Sequence, residues 1–180
     1  MNKRVFRLYW DKDKEEVWIN EMCDEGWALK KYFLGTYTFE KCEKGEYTYR
    51  IDLMRDIESV QESKDYIKFV EETGAEYVTS WYRWVFFRKK TSEGEFVLYT
   101  DNDSRISNYK SIRNMFIIAA FLEFIVAIYL ITSLHEMGEI YPYIIFSIAL
   151  IFILFVILAS VAMKTNSKIN NLIKEKSIKE

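Results

Sequence analysis

Two long apolar runs dominate the pattern of hydrophobic and polar positions along the chain. They extend over residues 115–134 and 140–163, and Glu123 is the only charged residue inside either run. An α-helix rises about 1.5 Å per residue, so about 20 residues cross a hydrocarbon core roughly 30 Å thick. Neither run has the polar stripe that a helix at the surface of a soluble core would carry. The pattern therefore predicts a two-helix transmembrane hairpin over 115–163.

Shorter patterns alternate in the part of the chain before this hairpin. Apolar positions at helical spacing lie between Asp11 and Gly26 and again between Ser63 and Gly74, with polar residues at the start and glycine at the end. Segments with strand-like alternation or aromatic enrichment lie at 4–10, 27–40, 47–53, 77–89 and 96–100. We expect the second and third of these segments to pair as a β-hairpin.

The two predicted helices of this region are similar to each other. Three apolar residues occupy the same distances before Gly26 as before Gly74, and each glycine leads into an aromatic strand. Two β-α-β units of this kind predict an α+β head of the ferredoxin-like (split β-α-β) type, with a strand or two added at its end. The predicted division is a head over 1–107, a connecting helix over 108–114, the hairpin over 115–163 and a basic tail over 164–180.

The distribution of charge predicts how the hairpin is oriented in the membrane. Three basic residues lie shortly before the first apolar run and five lysines follow the second, whereas the connecting turn at 133–139 holds no Lys or Arg. By the positive-inside rule this turn lies outside. The first residues carry positive charge but no apolar run long enough for a secretory signal. We therefore predict a two-span protein of the cell (inner) membrane, with both termini and the head in the cytoplasm.

Composition excludes several classes of function. Residues 1–111 carry 19 Lys and Arg against 22 Asp and Glu, so the head lacks the basic surface that nucleic-acid binding needs. The single histidine, His135, lies in the connecting turn, which removes histidine-based catalytic sites and multi-histidine metal sites from the head. Cys23 and Cys42 lie outside any CxxC spacing, and no glycine-rich phosphate loop occurs. We predict reduced cysteines, no cofactor and no enzymatic activity.

Acidic residues supply two candidate sites. Asp101 and Asp103 lie at the junction of head and hairpin, where they cap a helix or, with a third carboxylate, bind a hard cation. Glu123 lies about nine residues into the first apolar run, at a depth where a charge is costly. Two interpretations of Glu123 stay open. It contacts a polar group of another membrane protein or titrates as a switch, or it is protonated and hydrogen-bonded within the hairpin, for instance to Ser147.

Aromatic residues supply a third candidate site. Trp81, Trp84 and Phe86 lie in the run 77–89, whose two faces both carry aromatic side chains. These residues form a hydrophobic recognition face for a peptide, a small apolar ligand or a second copy of the head, or they form core and sheet-edge packing.

Four segments together resemble a known family. They are 15–27 (EEVWINEMCDEGW), 47–52 (YTYRID), 85–88 (VFFR) and 98–106 (LYTDNDSRI), followed by Tyr109. They are similar to a bacterial domain-of-unknown-function family, found mainly in low-GC Gram-positive bacteria. The resemblance implies a pair of C-terminal membrane helices and genes beside PadR-type transcriptional regulators, and it brings no catalytic residues. The chain departs from the family at 74–77, where an aromatic residue more often follows the glycine directly.

These features predict a membrane-tethered, non-enzymatic sensor or adaptor whose head binds a cytoplasmic partner. The resemblance implies that this partner is a PadR-type transcription regulator. The alternative is an immunity or accessory subunit whose hairpin packs against a membrane transporter through Glu123. A homodimer and a ligand-binding head are further alternatives. The lipid bilayer is a partner in each case, and nucleic acid is not.

Overall fold

The computed structural model describes residues 2–54, 60–99, 101–137 and 142–179 of the chain. The chain divides into two compact units, Met1–Thr100 and Asp101–Glu180, which we call the head and the helical pair. The second unit begins one residue before a long helix that starts at Asn102.

The described part of the head contains six strands and two helices. In chain order they are β1 (Asn2–Phe6), α1 (Lys12–Asp24), β2 (Trp27–Phe33), β3 (Thr36–Lys41), β4 (Tyr47–Leu53), α2 (Val60–Glu71), β5 (Glu76–Trp81) and β6 (Trp84–Lys90), followed by a short 3-10 turn, Thr91–Glu93. The helical pair consists of α3 (Asn102–Met137) and α4 (Pro142–Lys179).

The strands form two antiparallel sheets of three strands each. The first sheet has the order β1-β3-β2, and the second has the order β4-β6-β5. The head is thus α+β, as predicted, but the ferredoxin-like arrangement, which needs one sheet, is not what these strands build. The predicted hairpin of 27–40 with 47–53 is wrong, because β3 pairs with β1 and β2 while β4 pairs with β6.

Two segments predicted as single strands each fold back into a hairpin. The run 27–40 turns at Leu34 and Gly35 between β2 and β3, and the run 77–89 turns after Trp81 between β5 and β6. The sequence predicts a last strand at 96–100. Residues 96–99 form no strand and have an irregular backbone, and Thr100 lies outside the described residues. Its apolar side chains are used instead for packing, since Phe96 and Leu98 contact a core of the head.

Helix α1 begins and ends where the sequence predicts. Asp11 caps it by accepting a hydrogen bond from the backbone N of Asp13 (3.1 Å), and Gly26 follows its end with a φ of 86°. The helix packs on both sheets in one core, whose buried residues are Ile19, Met22, Cys23, Leu29, Tyr37, Phe39, Tyr49, Ile51 and Phe86. The opposite face of the second sheet packs in another core with α2, through Met54, Val70, Ala75, Val85, Phe87 and Phe96.

Helices α3 and α4 pack against each other in antiparallel register. Contacts at three levels define this register: Asp103 with Lys176, Arg113 with Asn166, and Phe124 with Phe155. Both helices are long and apolar enough to cross a membrane, by length and composition. The predicted basic tail, 164–180, is helical as far as Lys179 and continues α4. It packs on the start of α3, where Ile106 contacts Ile169 and Leu172.

Candidate functional site

The tips of the two hairpins in the head carry apolar residues in a strained backbone conformation. Leu34 has a φ of 43° and Tyr82 has a φ of 54°, which are the only positive φ values among non-glycine residues that the structure describes. This left-handed region costs an ordinary L-residue about 1–2 kcal/mol, and turns of this kind usually place Gly, Asn or Asp there. Both side chains are also exposed, by 53% and 73%. Strain that persists in a native fold is concentrated at functional sites.

The two tips lie at the same end of the head. Tyr32, near the end of β2, makes an edge-on ring contact with Trp81, at the end of β5, with 6.3 Å between the ring centroids. Each residue lies within two positions of its hairpin tip. The contact therefore brings the two strained turns close together in space.

Strand β1 adds further apolar side chains at this end. Phe6 and Phe33 pair with Thr36 from opposite sides, so both lie on the outer face of the first sheet, where they are 68% and 56% exposed. The backbone N of Arg7 donates to the carbonyl oxygen of Gly35 (2.8 Å), which holds the end of β1 against the tip. Apolar surface gathered in this way is typical of a contact with another molecule. We call Phe6, Leu8, Phe33, Leu34 and Tyr82 the hairpin-tip surface.

Gly35 is required for this arrangement. A Cβ atom at Gly35 would lie 2.6 Å from Cδ2 of Leu8 and 3.1 Å from the carbonyl oxygen of Arg7, and its φ is 75°. Neither the space nor the backbone conformation admits a side chain. The glycine therefore lets Leu8 pack over the turn while Leu8 itself stays 62% exposed.

Of the aromatic face predicted from sequence, only Trp81 borders the hairpin-tip surface. Phe86 is 1% exposed in the core around α1, so it cannot belong to a recognition face. Because side chains alternate along a strand, Trp84 lies on the same side as Phe86 and is half-buried against that core. Trp81 is half-buried and borders the hairpin-tip surface through its contact with Tyr32.

A buried carboxyl group lies on α1, close to the tyrosines of the first sheet. The hydroxyl of Tyr37 donates to Oε1 of Glu15 at 2.6 Å, and burial raises the pKa of Glu15 to about 7. Burial also raises the pKa of Tyr37, so the phenol keeps its proton. The ring of Tyr32 makes a tilted contact with the ring of Tyr37, with 4.8 Å between the ring centroids. Because Tyr32 also contacts Trp81, it connects the Tyr37–Glu15 pair to the ring of Trp81. The hydroxyl of Tyr9 is buried nearby without a hydrogen-bond partner among the described residues.

A second buried carboxylate joins three segments of the head. Asp52, on β4, is 1% exposed and accepts hydrogen bonds from the hydroxyls of Tyr66 and Tyr99. Tyr66 lies on α2, and Tyr99 lies in the segment that leads toward α3. Burial raises the pKa of Tyr66, so this phenol remains a donor. The cluster fixes the last described residues of the head to its second sheet.

The described residues include no group of three or more His, Cys, Asp or Glu side chains placed to hold a metal ion. Asp101 instead caps α3, because its Oδ1 accepts from the backbone N of Ser104 at 2.7 Å, which confirms the capping interpretation. Asp103 accepts from Nζ of Lys176 at 2.9 Å. Cys23 and Cys42 are free thiols with 4.0 Å between their sulfur atoms, and burial raises the pKa of both.

Glu123 lies on the face of α3 that packs against α4. It is half-buried and makes no hydrogen bond or ion pair with any residue that the structure describes. In the antiparallel register it lies level with Val156, inside the apolar stretch 151–158. The predicted partner Ser147 is wrong, because its hydroxyl donates to the carbonyl oxygen of Tyr143 and the register places it level with Thr132.

An α+β head followed by two helices of membrane-spanning length defines the class of this protein. The family described as "Protein of unknown function (DUF2812)" matches residues 11–121, from the N-cap of α1 into α3. The chain belongs to this family. Its resemblance to a domain-of-unknown-function family is thereby confirmed. No curated protein and no solved structure was found to match the chain.

Proposed function

We propose that this protein is a membrane-tethered, non-enzymatic adaptor or sensor whose head binds a protein partner through the hairpin-tip surface. The observation that carries the proposal is the pair of hairpin tips at which exposed Leu34 and Tyr82 occupy strained left-handed conformations. A fold gains nothing in stability from such residues at these positions, so a role outside the fold accounts for them.

The tether is the helical pair. Its two apolar helices and the basic residues that flank them support two spans in a bacterial cell membrane, with both termini in the cytoplasm. A cytoplasmic partner would then meet the head at the inner face of the membrane.

The chemistry of the surface restricts the partner. Arg4 and Lys31 both pair with Thr38, on the same outer face as Phe6 and Phe33, so a cationic row borders the apolar end of the first sheet. An apolar patch with acidic groups beside it is the complementary partner surface. The resemblance to a family encoded beside PadR-type regulators favours a transcription regulator of that type.

The test uses a substitution that separates binding from folding. Asn is tolerated at left-handed positions, so Leu34→Asn should relieve backbone strain and remove one exposed apolar side chain. We expect the melting temperature of the head to rise by a few degrees and the capture of the partner to fall at least about fivefold, because a central apolar contact contributes more than about 1 kcal/mol. The measurement is a mild-detergent pull-down of the tagged full-length chain from its native host, with mass spectrometry.

The matched control is Phe69→Asn, which removes an apolar side chain that is 66% exposed on α2, away from the tips. It should leave capture unchanged. Tryptophan fluorescence reports the melting of the head alone, since all five tryptophans lie there. Equal capture of a regulator by wild type and Leu34→Asn would contradict the assignment of the surface, and failure of wild type to capture any regulator would contradict the partner.

A second candidate function rests on Glu123. Its carboxyl group is half-buried among apolar residues of the helical pair and has no partner among the described residues. Such a group is suited to contact a polar group of another membrane protein. This supports an immunity or accessory subunit that packs its helices against a transporter.

A further inference from the structure

The helical pair contains a groove with an apolar length and a cationic end. Its volume is about 860 Å³, within the range of sites that hold small molecules, and its walls come only from α3 and α4. It runs along the helices from the ring of Phe124 to the guanidinium of Arg113.

Small residues at the helix contact create the groove. Ala120 and Ala159 line it at the same level of the antiparallel register, and Ala162 lines it one turn further along α4. Methyl side chains at facing positions leave space that the longer side chains beside them do not fill. Phe121, which is 60% exposed, forms an outer wall of this space. The resulting groove is apolar along most of its length.

The polar end of the groove carries a positive charge that no acidic group among the described residues balances. Arg113 donates from Nη1 to Oδ1 of Asn166 at 2.9 Å, and from Nε and Nη2 to Oδ1 of Asn114 at 3.2 and 3.0 Å. These acceptors are neutral amides, and no described carboxylate forms an ion pair with Arg113. A guanidinium has five donors, so two remain for a further acceptor.

The position of Arg113 along the helix matches the surface of a bilayer. The apolar run of α3 begins at Met115, immediately after Arg113 and Asn114. If the apolar run spans the bilayer, a cation there stands at the level of the lipid phosphates, while the groove extends from it into the apolar part of the helices.

We propose that this groove binds one anionic phospholipid, with its phosphate on Arg113 and an acyl chain along the alanines between the helices. The shape is that of a single amphiphile, apolar over most of its length and anionic at one end. A guanidinium recognises phosphate through paired, charge-assisted hydrogen bonds, which the free donors of Arg113 allow. Anionic lipids are enriched in the leaflet that the predicted orientation places against Arg113.

The experiment measures lipid retention by the full-length protein. The protein is purified in mild detergent with phosphatidylglycerol or phosphatidylcholine of identical acyl chains, and bound lipid is counted by native mass spectrometry. Wild type should retain the anionic lipid about fivefold better, the factor that one Arg near a membrane surface supplies. Arg113→Gln should reduce phosphatidylglycerol to the level of phosphatidylcholine.

Two further variants distinguish the site from general attraction of charge. Lys110→Gln removes an exposed cation one turn earlier on α3 and should keep the preference. Ala159→Phe fills the groove without changing charge and should lower retention of both lipids. The proposal is overturned if Lys110→Gln loses the preference as Arg113→Gln does, if Ala159→Phe retains lipid like wild type, or if wild type shows no preference.

If Ala159→Phe does not fold, the proposal is tested instead by the change in unfolding temperature that phosphatidylglycerol causes. Phosphatidylglycerol should raise the unfolding temperature of the helical pair in wild type and in Lys110→Gln, and should not raise it in Arg113→Gln. Unfolding is measured by far-UV circular dichroism. Equal shifts in all three proteins would also overturn the proposal.

Discussion

Glu15 shows how a single residue makes the stability of the head depend on pH. Burial raises its pKa from the ordinary 4.5 to about 7, since the carboxylate form loses its hydration on α1. A group whose pKa is higher in the folded state favours folding most when it is protonated in both states. Its contribution is therefore fully present below about pH 4.5 and is lost as the pH rises through about 7. Burial also raises the pKa of Glu16, which acts in the same direction.

Glu15→Gln should remove this dependence. The amide oxygen still accepts from Tyr37, but no proton has to be bound. We expect the loss of unfolding free energy between pH 5 and pH 8 to be smaller in the variant by about 1–2 kcal/mol, a value reduced from the full shift because Glu15 is partly exposed. The measurement is denaturant unfolding of the full-length protein, followed by tryptophan fluorescence. Glu21→Gln, exposed on the same helix, is the control; if both variants match wild type, the assignment to Glu15 is wrong.

Among the elements, the segment between β6 and α3 is held by side chains instead of by strand pairing. Tyr99 reaches Asp52 with 2.7 and 2.8 Å between its hydroxyl and the two carboxylate oxygens, and Nε of Arg50 donates to the carbonyl oxygen of Phe96 at 3.0 Å. Irregular backbone is thus fixed by hydrogen bonds from β4. Because the carboxylate of Asp52 is almost fully buried, each hydrogen bond to it carries more free energy than an exposed one.

Tyr99→Phe tests this attachment. Removing the hydroxyl takes one donor from a buried carboxylate, and we expect the unfolding free energy of the head to fall by about 1.5–3 kcal/mol. The control is Tyr77→Phe, since the hydroxyl of Tyr77 pairs with Oγ of Ser80 at an exposed site and should contribute less than about 0.5 kcal/mol. Both are measured by tryptophan fluorescence in denaturant. Equal losses in the two variants would contradict a special role for Asp52.

Elements whose cause is local could be predicted from the sequence, and pairings between distant segments could not. The caps of α1 and the presence of two long apolar helices follow from residues close together in the chain. Their full lengths do not, since α3 begins 13 residues before the predicted run 115–134 and α4 ends 16 residues after the predicted run 140–163. The sequence predicts a single strand at each hairpin because Leu34 and Tyr82, which occupy the turn positions, are not turn-forming residues. For the same reason, most residues of the candidate site could not be predicted from the sequence. Of the residues around the hairpin tips, the sequence predicts only Trp81 as a site residue, and Gly35 after two apolar residues is the one local signal for the turn.

For the whole molecule, the two candidate functions place the partner on different units. A regulator would be captured through the head, and a transporter through Glu123 in the helical pair. Glu123→Leu removes the polar group from the apolar part of α3, whereas Glu123→Gln keeps a hydrogen-bonding side chain of the same shape. If Glu123 contacts a transporter, Glu123→Leu should reduce capture by at least about tenfold and Glu123→Gln by less. The pull-down of the full-length chain measures both.

Leu34→Asn is the reciprocal control in that experiment, because it alters only the head. Loss of a partner with Leu34→Asn and its retention with Glu123→Leu assigns the interaction to the hairpin-tip surface. The opposite result assigns it to the helical pair. If Glu123→Leu and Glu123→Gln both capture as wild type does, Glu123 has no role in partner binding.

The continuity of α3 has a mechanical consequence. From Asn102 to Met137 the helix contains neither proline nor glycine, the residues at which helices usually bend. It is a rod roughly 54 Å long, at about 1.5 Å per residue, without a joint. A helix without such residues curves gently at most and has no sharp kink along its length. No residue that usually kinks a helix therefore lies between Glu123 and the capped first turn of α3.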